Sequence, residues 1–233
     1  MASGPDVEGL QEAVEELLRD VASLEDAAAE ARILSMIEVV EGATVGCGAV
    51  ELYYPLGLLY YNIPTQTSQT EQLAEEWLRR AVAEDGGDPY RRFALGALLF
   101  DQARYGEAMA QLSRIPGGSF GVRGQRWRDA KVSECVLCCE LMRHPESLAP
   151  QRLDEVVEMY RKLSEVEAPV PVELGVALAQ QLARVEPTPE WGQAVLGYIE
   201  LVNSLGFRET LAPLLLEIEG WWRRHSVAVA GRR

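Results

Sequence analysis

Apolar residues recur at three- and four-residue steps along most of this 233-residue chain. Such steps place apolar side chains on one stripe of an α-helix, whereas no stretch alternates for long enough to predict a β-strand. The chain is therefore expected to be all-α, with antiparallel helices joined by short loops. The predicted helices are 6–41, with or without a break near Asp26, then 49–63, 71–83, 90–102, 105–114, 124–144, 150–166, 172–184, 190–205 and 208–225.

Glycine, proline and charge mark the predicted boundaries. Asp6 is a suitable N-cap, Gly42 is expected to close the first helix, and Gly206 fits a helix C-cap. These signals predict an acidic N-terminal helical segment over 1–42, a helical domain over 43–225 and a disordered tail over 226–233.

A repeat is visible in the middle of the chain. Ala74 and Ala108 lie 34 residues apart in similar surroundings, Leu73-Ala74-Glu75-Glu76-Trp77-Leu78 and Tyr105-Gly106-Glu107-Ala108-Met109. A period of this length is typical of helical hairpin repeats, which stack into solenoids.

The hairpin over 89–115 resembles a tetratricopeptide repeat. The resemblance rests on Leu95-Gly96, Gln102, Tyr105 and Glu107-Ala108, because a glycine and an alanine on facing helices let the two backbones approach closely. Arg92 and Ile115 depart from the family pattern.

A preceding unit matches more loosely through Leu56-Gly57, Tyr60, Ala74 and Ala81. The resemblance is clear over about 49–116 and degenerate beyond, where only echoes remain. They are Trp127 with Ala130, and Leu174-Gly175 with Ala194. The resemblance implies a right-handed α-solenoid of stacked antiparallel hairpins, which the later hairpins continue in degenerate form.

In this family, the first helices of successive repeats line a concave groove that holds peptides or partner helices. The corresponding positions here are Tyr54, Leu58, Tyr61, Asn62, Tyr90, Phe93, Ala97, Phe100 and Asp101. Five of these nine are aromatic, in a chain that is only 7% aromatic, and aromatic residues are favoured at interface centres. The set lacks the basic residues with which some family members clamp a C-terminal carboxylate. Alternatively, the chain's own N-terminal helix fills the groove.

The net charge of −14 argues against general attraction to nucleic acid or anionic lipid. The charge is uneven, with acidic residues concentrated over 6–41 and arginines between Arg79 and Arg128. The arginines either form a solvated face or meet an acidic segment, from a partner or from the N-terminal helix. Arg128 is included among the candidate partner-binding residues for this reason.

No catalytic, metal or cofactor site is expected. Cys135, Cys138 and Cys139 share one helical face, but only Cys47 and two histidines could complete a zinc site, so buried structural thiols are the preferred interpretation. A redox role for these thiols stays open. His144 precedes Pro145 and suits a helix end better than a catalytic triad.

The sequence thus predicts a non-catalytic adaptor, scaffold or chaperone-like subunit that binds a helix or peptide of another protein in the groove. The alternatives are an obligate structural subunit of a larger complex or homodimer, and a nucleic-acid-associated helical repeat that uses the arginines of 79–131. No apolar run is long enough to cross a bilayer and no secretory signal is evident, so a cytoplasmic location is expected.

Overall fold

The computed structural model describes residues 6–163 and 168–230, and these form eleven α-helices joined by short loops and 3-10 turns. No β-strand occurs within these residues, so the predicted all-α class is confirmed. The helices are α1 (Val7–Val21), α2 (Asp26–Cys47), α3 (Tyr53–Tyr61), α4 (Ser68–Glu84), α5 (Pro89–Asp101), α6 (Tyr105–Leu112), α7 (Arg126–Arg143), α8 (Gln151–Arg161), α9 (Val172–Gln181), α10 (Pro189–Ser204) and α11 (Ala212–Ala230).

The chain divides into two compact units, residues 1–98 and 99–233, with the boundary inside α5. Unit 1 contains α1 to α4 and most of α5, whereas unit 2 contains the end of α5 and α6 to α11. The sequence predicted domain boundaries at residues 42 and 225. They do not coincide with the division after residue 98, and they stay predictions.

The N-terminal segment of unit 1 forms two helices, so the break near Asp26 that the sequence left open is present. Asp6 caps α1 as expected, since its carboxylate accepts the Gly9 N–H at 3.1 Å. The helix ends at Val21 and a second one, α2, begins at Asp26. The prediction that Gly42 closes the helix is wrong, because α2 continues to Cys47 and ends at Gly48, which has a left-handed φ of 66°. The buried Thr44 hydroxyl donates to the Val40 carbonyl at 2.7 Å within this extra stretch.

Helices α3 and α4 of unit 1 pack very closely, as the repeat pattern predicts. A Cβ atom at Gly57 would lie 2.7 Å from Cγ and 3.0 Å from the backbone nitrogen of Leu78. Ala74, Leu78 and Ala81 on α4 are completely buried. Helix α4 begins three residues earlier than expected because Thr67 forms a capping box with Thr70.

In unit 2 the helices from α7 onward have an alternating arrangement, in which a helix contacts the next but one. Helix α7 packs on α9 and α9 on α11, while α8 packs on α10. Contacts between alternate helices are the pattern that stacked helical hairpins produce. The faint echoes identified in the sequence belong to this core, because Leu174, Gly175 and Ala194 are buried on α9 and α10.

Two helix ends in unit 2 differ from the sequence pattern. Helix α8 ends at Arg161 rather than near residue 166, and residues 164–167 lie outside the described part. Helix α11 runs to Ala230, beyond the predicted helix end at residue 225, and residues 231–233 of the predicted tail lie outside the described part.

Replacing Gly57 with alanine should destabilise the protein by about 1–3 kcal/mol, because the added methyl group meets the Leu78 backbone. The matched control is Gly42→Ala in α2, where nothing lies within 4 Å of an added Cβ. That change should instead stabilise the protein by about 0.5–1 kcal/mol, since alanine favours the helix. Urea unfolding measures both, and equal effects at the two positions would contradict the close packing described for Gly57.

Candidate partner-binding surface

The predicted groove residues of α3 lie on one side of that helix. Tyr54, Leu58 and Tyr61 are half-buried and Asn62 is exposed. The remaining residues from Pro55 to Tyr60 are buried. A helix turns by about 100° per residue, so the four candidates fall within about 100° of one another. They form a partly accessible strip beside a buried face.

Helix α5 shows the same division in its unit 1 portion. Tyr90, Phe93 and Ala97 are half-buried, whereas Ala94 and Leu98 are buried. We call Tyr54, Leu58, Tyr61, Asn62, Tyr90, Phe93 and Ala97 the aromatic strip. These residues are partly accessible on their own helices, while their role in binding stays a prediction.

The other three candidates belong to unit 2. Phe100 packs against the core of unit 2 and makes an edge contact with Tyr105, with ring centroids 5.5 Å apart. Asp101, the last residue of α5, is exposed. Arg128 on α7 places its guanidinium carbon 5.0 Å from the ring centroid of Trp127 and 5.9 Å from that of Phe120. Phe100 therefore contributes to packing, whatever its role in binding.

The N-terminal helices contact α3 away from the aromatic strip. The Tyr60 hydroxyl donates to Glu41 of α2 at 2.7 Å, and Gln11 of α1 donates to the Glu51 carbonyl at 3.0 Å. Tyr60 is two residues from Leu58, which places it about 200° away around the helix. The first contact attaches α2 to the Tyr60 side of α3, and the second attaches α1 to the turn that precedes α3.

Many arginines of the 79–128 region are paired with neighbouring groups. Arg79 contacts Glu75 at 2.8 Å and Arg80 contacts Glu76 at 2.5 Å on the same helix. Arg92 donates to the Gly86 carbonyl at 2.5 Å, and Arg104 forms an ion pair with Glu107 at 2.8 Å. Exposed pairs of this kind add little stability, but they partly neutralise the basic side chains that phosphate binding would need. This pairing disfavours the nucleic-acid interpretation.

A buried ionic network in unit 2 was missed by the sequence-based prediction. The Glu134 side chain is completely buried on α7, and it accepts hydrogen bonds from the Tyr160 hydroxyl on α8 and, at 3.0 Å, from the Leu174 N–H on α9. The Lys131 ammonium lies 3.0 Å from the same carboxylate and also contacts Glu173. One carboxylate thus links three helices and receives the first turn of α9, where a negative charge is favourable.

The electrostatics of the network follow from burial and pairing. Burial raises the pKa of Glu134, while Lys131 and the hydrogen bond from Tyr160 oppose that shift. Burial alone would lower the pKa of Lys131, but the carboxylates of Glu134 and Glu173 raise it overall. Because the buried Glu134 carboxylate is paired and hydrogen-bonded on three sides, the arrangement joins α7, α8 and α9. The three-residue spacing of Lys131 and Glu134, which suits an ion pair on a helix, was the only sign of this network in the sequence.

The three clustered cysteines are also buried on α7. Burial raises the pKa of the Cys135 and Cys138 thiols well above the usual value and that of Cys139 to about 12. The reactive thiolate form is therefore disfavoured. Among the described residues, no group of three or more His, Cys, Asp or Glu side chains is arranged to hold a metal ion. His144 is exposed, as a helix-end residue would be.

None of the helices in the described part of the chain combines the length and the low polarity that crossing a lipid bilayer requires.

Comparisons with known proteins leave the family open. No family model matches the sequence, and no curated protein is similar to it. A solved structure described as "Functional Characterization of Pseudomonas Aeruginosa pilF" aligns with 94% of this chain and 99% of its own at 16% identity and a TM-score of 0.48. Similarity at this level identifies neither a family nor an activity.

Replacing Glu134 with alanine should destabilise the protein by about 3–5 kcal/mol, because Lys131 loses a buried partner and the Tyr160 hydroxyl loses its acceptor. Glu134→Gln should cost less, since the amide oxygen still accepts a hydrogen bond. The control is Glu146→Ala, an exposed residue that pairs with Arg184 at 3.5 Å. Urea unfolding at pH 7 checks the order, and a Glu134→Ala effect no larger than the control would contradict a stabilising network.

The buried thiols should make stability fall as the pH rises above about 8.5, where cysteines of the unfolded chain begin to lose protons. The folded protein keeps these protons because its thiol pKa values are raised, so it binds more protons than the unfolded chain and loses relative stability.

Chemical denaturation between pH 8 and 10 measures this decrease, which should be smaller in Cys139→Ala. In a Cys47→Ser background, iodoacetamide should modify the native protein slowly and the unfolded protein quickly. Fast modification of the native protein, or an unchanged pH dependence in Cys139→Ala, would contradict the assignment.

Proposed function

We propose that this protein is a non-catalytic adaptor that binds a helix or extended segment of another protein along the aromatic strip. The observation that carries the proposal is the partial exposure of aromatic and aliphatic residues on α3 and α5, next to faces that are fully buried. The resemblance of 49–116 to tetratricopeptide repeats supports the same surface.

The chemistry of the strip suits a protein partner. Tyr54, Tyr61, Tyr90 and Phe93 supply large, stiff side chains that bury much area and lose little conformational entropy on binding. Leu58 on α3 and Ala97 on α5 add aliphatic surface. Buried aromatic side chains commonly provide most of the binding energy at protein interfaces.

The polar member of the strip is already engaged. The Asn62 side-chain amide donates to the Leu58 carbonyl at 2.8 Å near the end of α3. This bond occupies one donor of the side chain and leaves its oxygen, which can accept a hydrogen bond from a partner. Affinity is therefore expected to come chiefly from apolar contacts, with Asn62 fixing the register of the bound segment.

The proposal predicts that Leu58→Ala combined with Tyr61→Ala weakens partner binding at least about tenfold, because both side chains lose contact area at the strip. The matched control is Val122→Ala combined with Leu216→Ala, two exposed apolar residues of unit 2 that do not pack against its core. Phe100 is left intact because it packs against a core.

Partners are captured from native cell extract with tagged wild type and both variants, and the affinity for the purified partner is then measured. Circular dichroism confirms that the variants keep their helical content. A partner that binds all three proteins equally would contradict the strip as the binding surface.

A further inference from the structure

Helix α2 exposes an apolar face that neither the core nor the proposed function uses. Leu34, Val39 and Val45 are 44%, 53% and 83% exposed, respectively. Ile33, Ile37 and Val40 are buried on the other side of the same helix, so these residues, and not the exposed ones, pack α2 against the core. Three large exposed apolar residues on one helix are unusual for a surface that faces only water.

The exposed residues of α2 have a definite arrangement. Val45 follows Leu34 by eleven residues, so these two side chains lie within about 20° of each other around the helix axis and form one flank. Val39 lies about 140° from Leu34 around the axis and forms the other flank. Small exposed residues, Ser35 and Gly42, fall between the flanks. Glu38 also falls between the flanks, about 40° from Leu34, so the outward side of α2 combines apolar, small and acidic residues. We call Leu34, Val39 and Val45, together with Ser35, Glu38 and Gly42, the α2 face.

The segment that forms α1 and most of α2 is strongly acidic. Residues 6–41 contain eleven acidic residues and two arginines. Both arginines are engaged within unit 1, since Arg32 pairs with Asp20 at 3.4 Å and Arg19 donates to the Glu15 carbonyl at 3.3 Å. Glu38, one turn after Leu34, is exposed within the face itself. An occupant must therefore combine apolar side chains with positive charge.

We propose that the α2 face binds a basic amphipathic helix of a partner protein. Apolar side chains of that helix would cover Leu34, Val39 and Val45, and its flanking lysines or arginines would lie near Glu38 and the acidic residues of α1. A second copy of this chain would bring two acidic surfaces together, and an anionic lipid surface would be repelled in the same way. The α2 face is separate from the aromatic strip, so this proposal does not depend on the proposed function.

The test uses a fluorescently labelled 18-residue helix of leucine and lysine with all leucines on one side. Two comparison peptides are a scrambled version of equal composition and a leucine–glutamate version of equal amphipathicity. Binding to the full-length protein is measured by fluorescence anisotropy at several salt concentrations. Sedimentation velocity of the protein alone gives its oligomeric state.

The deciding variant replaces Leu34, Val39 and Val45 together with glutamine, which keeps helix propensity and net charge. The matched control replaces Val122, Val172 and Leu216, exposed apolar residues of unit 2, in the same way. The wild type should bind the leucine–lysine helix more tightly than either comparison peptide. The α2 variant should bind about tenfold more weakly, the control within about twofold of wild type, and Glu38→Lys should also weaken binding.

Equal binding by the α2 variant and the control would overturn the proposal, as would equal binding of the scrambled peptide. A wild-type dimer that the α2 variant dissociates would also overturn it, because the occupant would then be a second copy of the chain.

Discussion

The close approach of α3 and α4 at Gly57 determines which residues of unit 1 can remain at the surface. A side chain at this position would meet the backbone of Leu78, so the contact requires glycine and brings the two helices together along a narrow line. The Tyr60 side of α3 is attached to Glu41 of α2, whereas Tyr54, Leu58 and Tyr61, which lie about 100° to 160° from Tyr60 around the helix, are left partly accessible. The aromatic strip is therefore a consequence of how the helix is packed on its other sides.

Unit 2 stabilises its helices in a different way. Its alternating contacts bury long apolar faces, but the point where α7, α8 and α9 meet holds a carboxylate. Glu134 is tolerated there because a hydroxyl, a backbone N–H and an ammonium group all face it. Removing any one partner leaves a buried polar group unsatisfied, so the network specifies one arrangement of the three helices more strictly than apolar packing alone.

Local chemistry made much of the fold predictable. The helical period identified most of the helices, Asp6 caps α1 as its position suggested, and the repeat pattern located the tight contact at Gly57. The same reasoning ended the first helix at Gly42, but one glycine costs a helix only about 1 kcal/mol, and α2 continues through the buried Thr44. Glu134 could not be recognised, because its partners Tyr160 and Leu174 are distant in sequence and its burial depends on both.

The candidate site was predictable in position only. The period that places Tyr54, Leu58 and Tyr61 on one side of α3 follows from the sequence, whereas their exposure depends on where α2 and α4 attach. Phe100 shares the spacing of the strip and yet packs against the core of unit 2, a difference that helical period cannot reveal.

If a protein partner covers the aromatic strip, the strip should become less accessible in the complex. Hydroxyl-radical footprinting of the native complex, compared with the free protein, measures this, since tyrosine, phenylalanine and leucine side chains are readily oxidised when accessible. We expect protection of Tyr54, Leu58, Tyr61, Tyr90 and Phe93 in the complex, with Leu216 unchanged. Oxidation of the strip that stays the same while another surface becomes protected would contradict it.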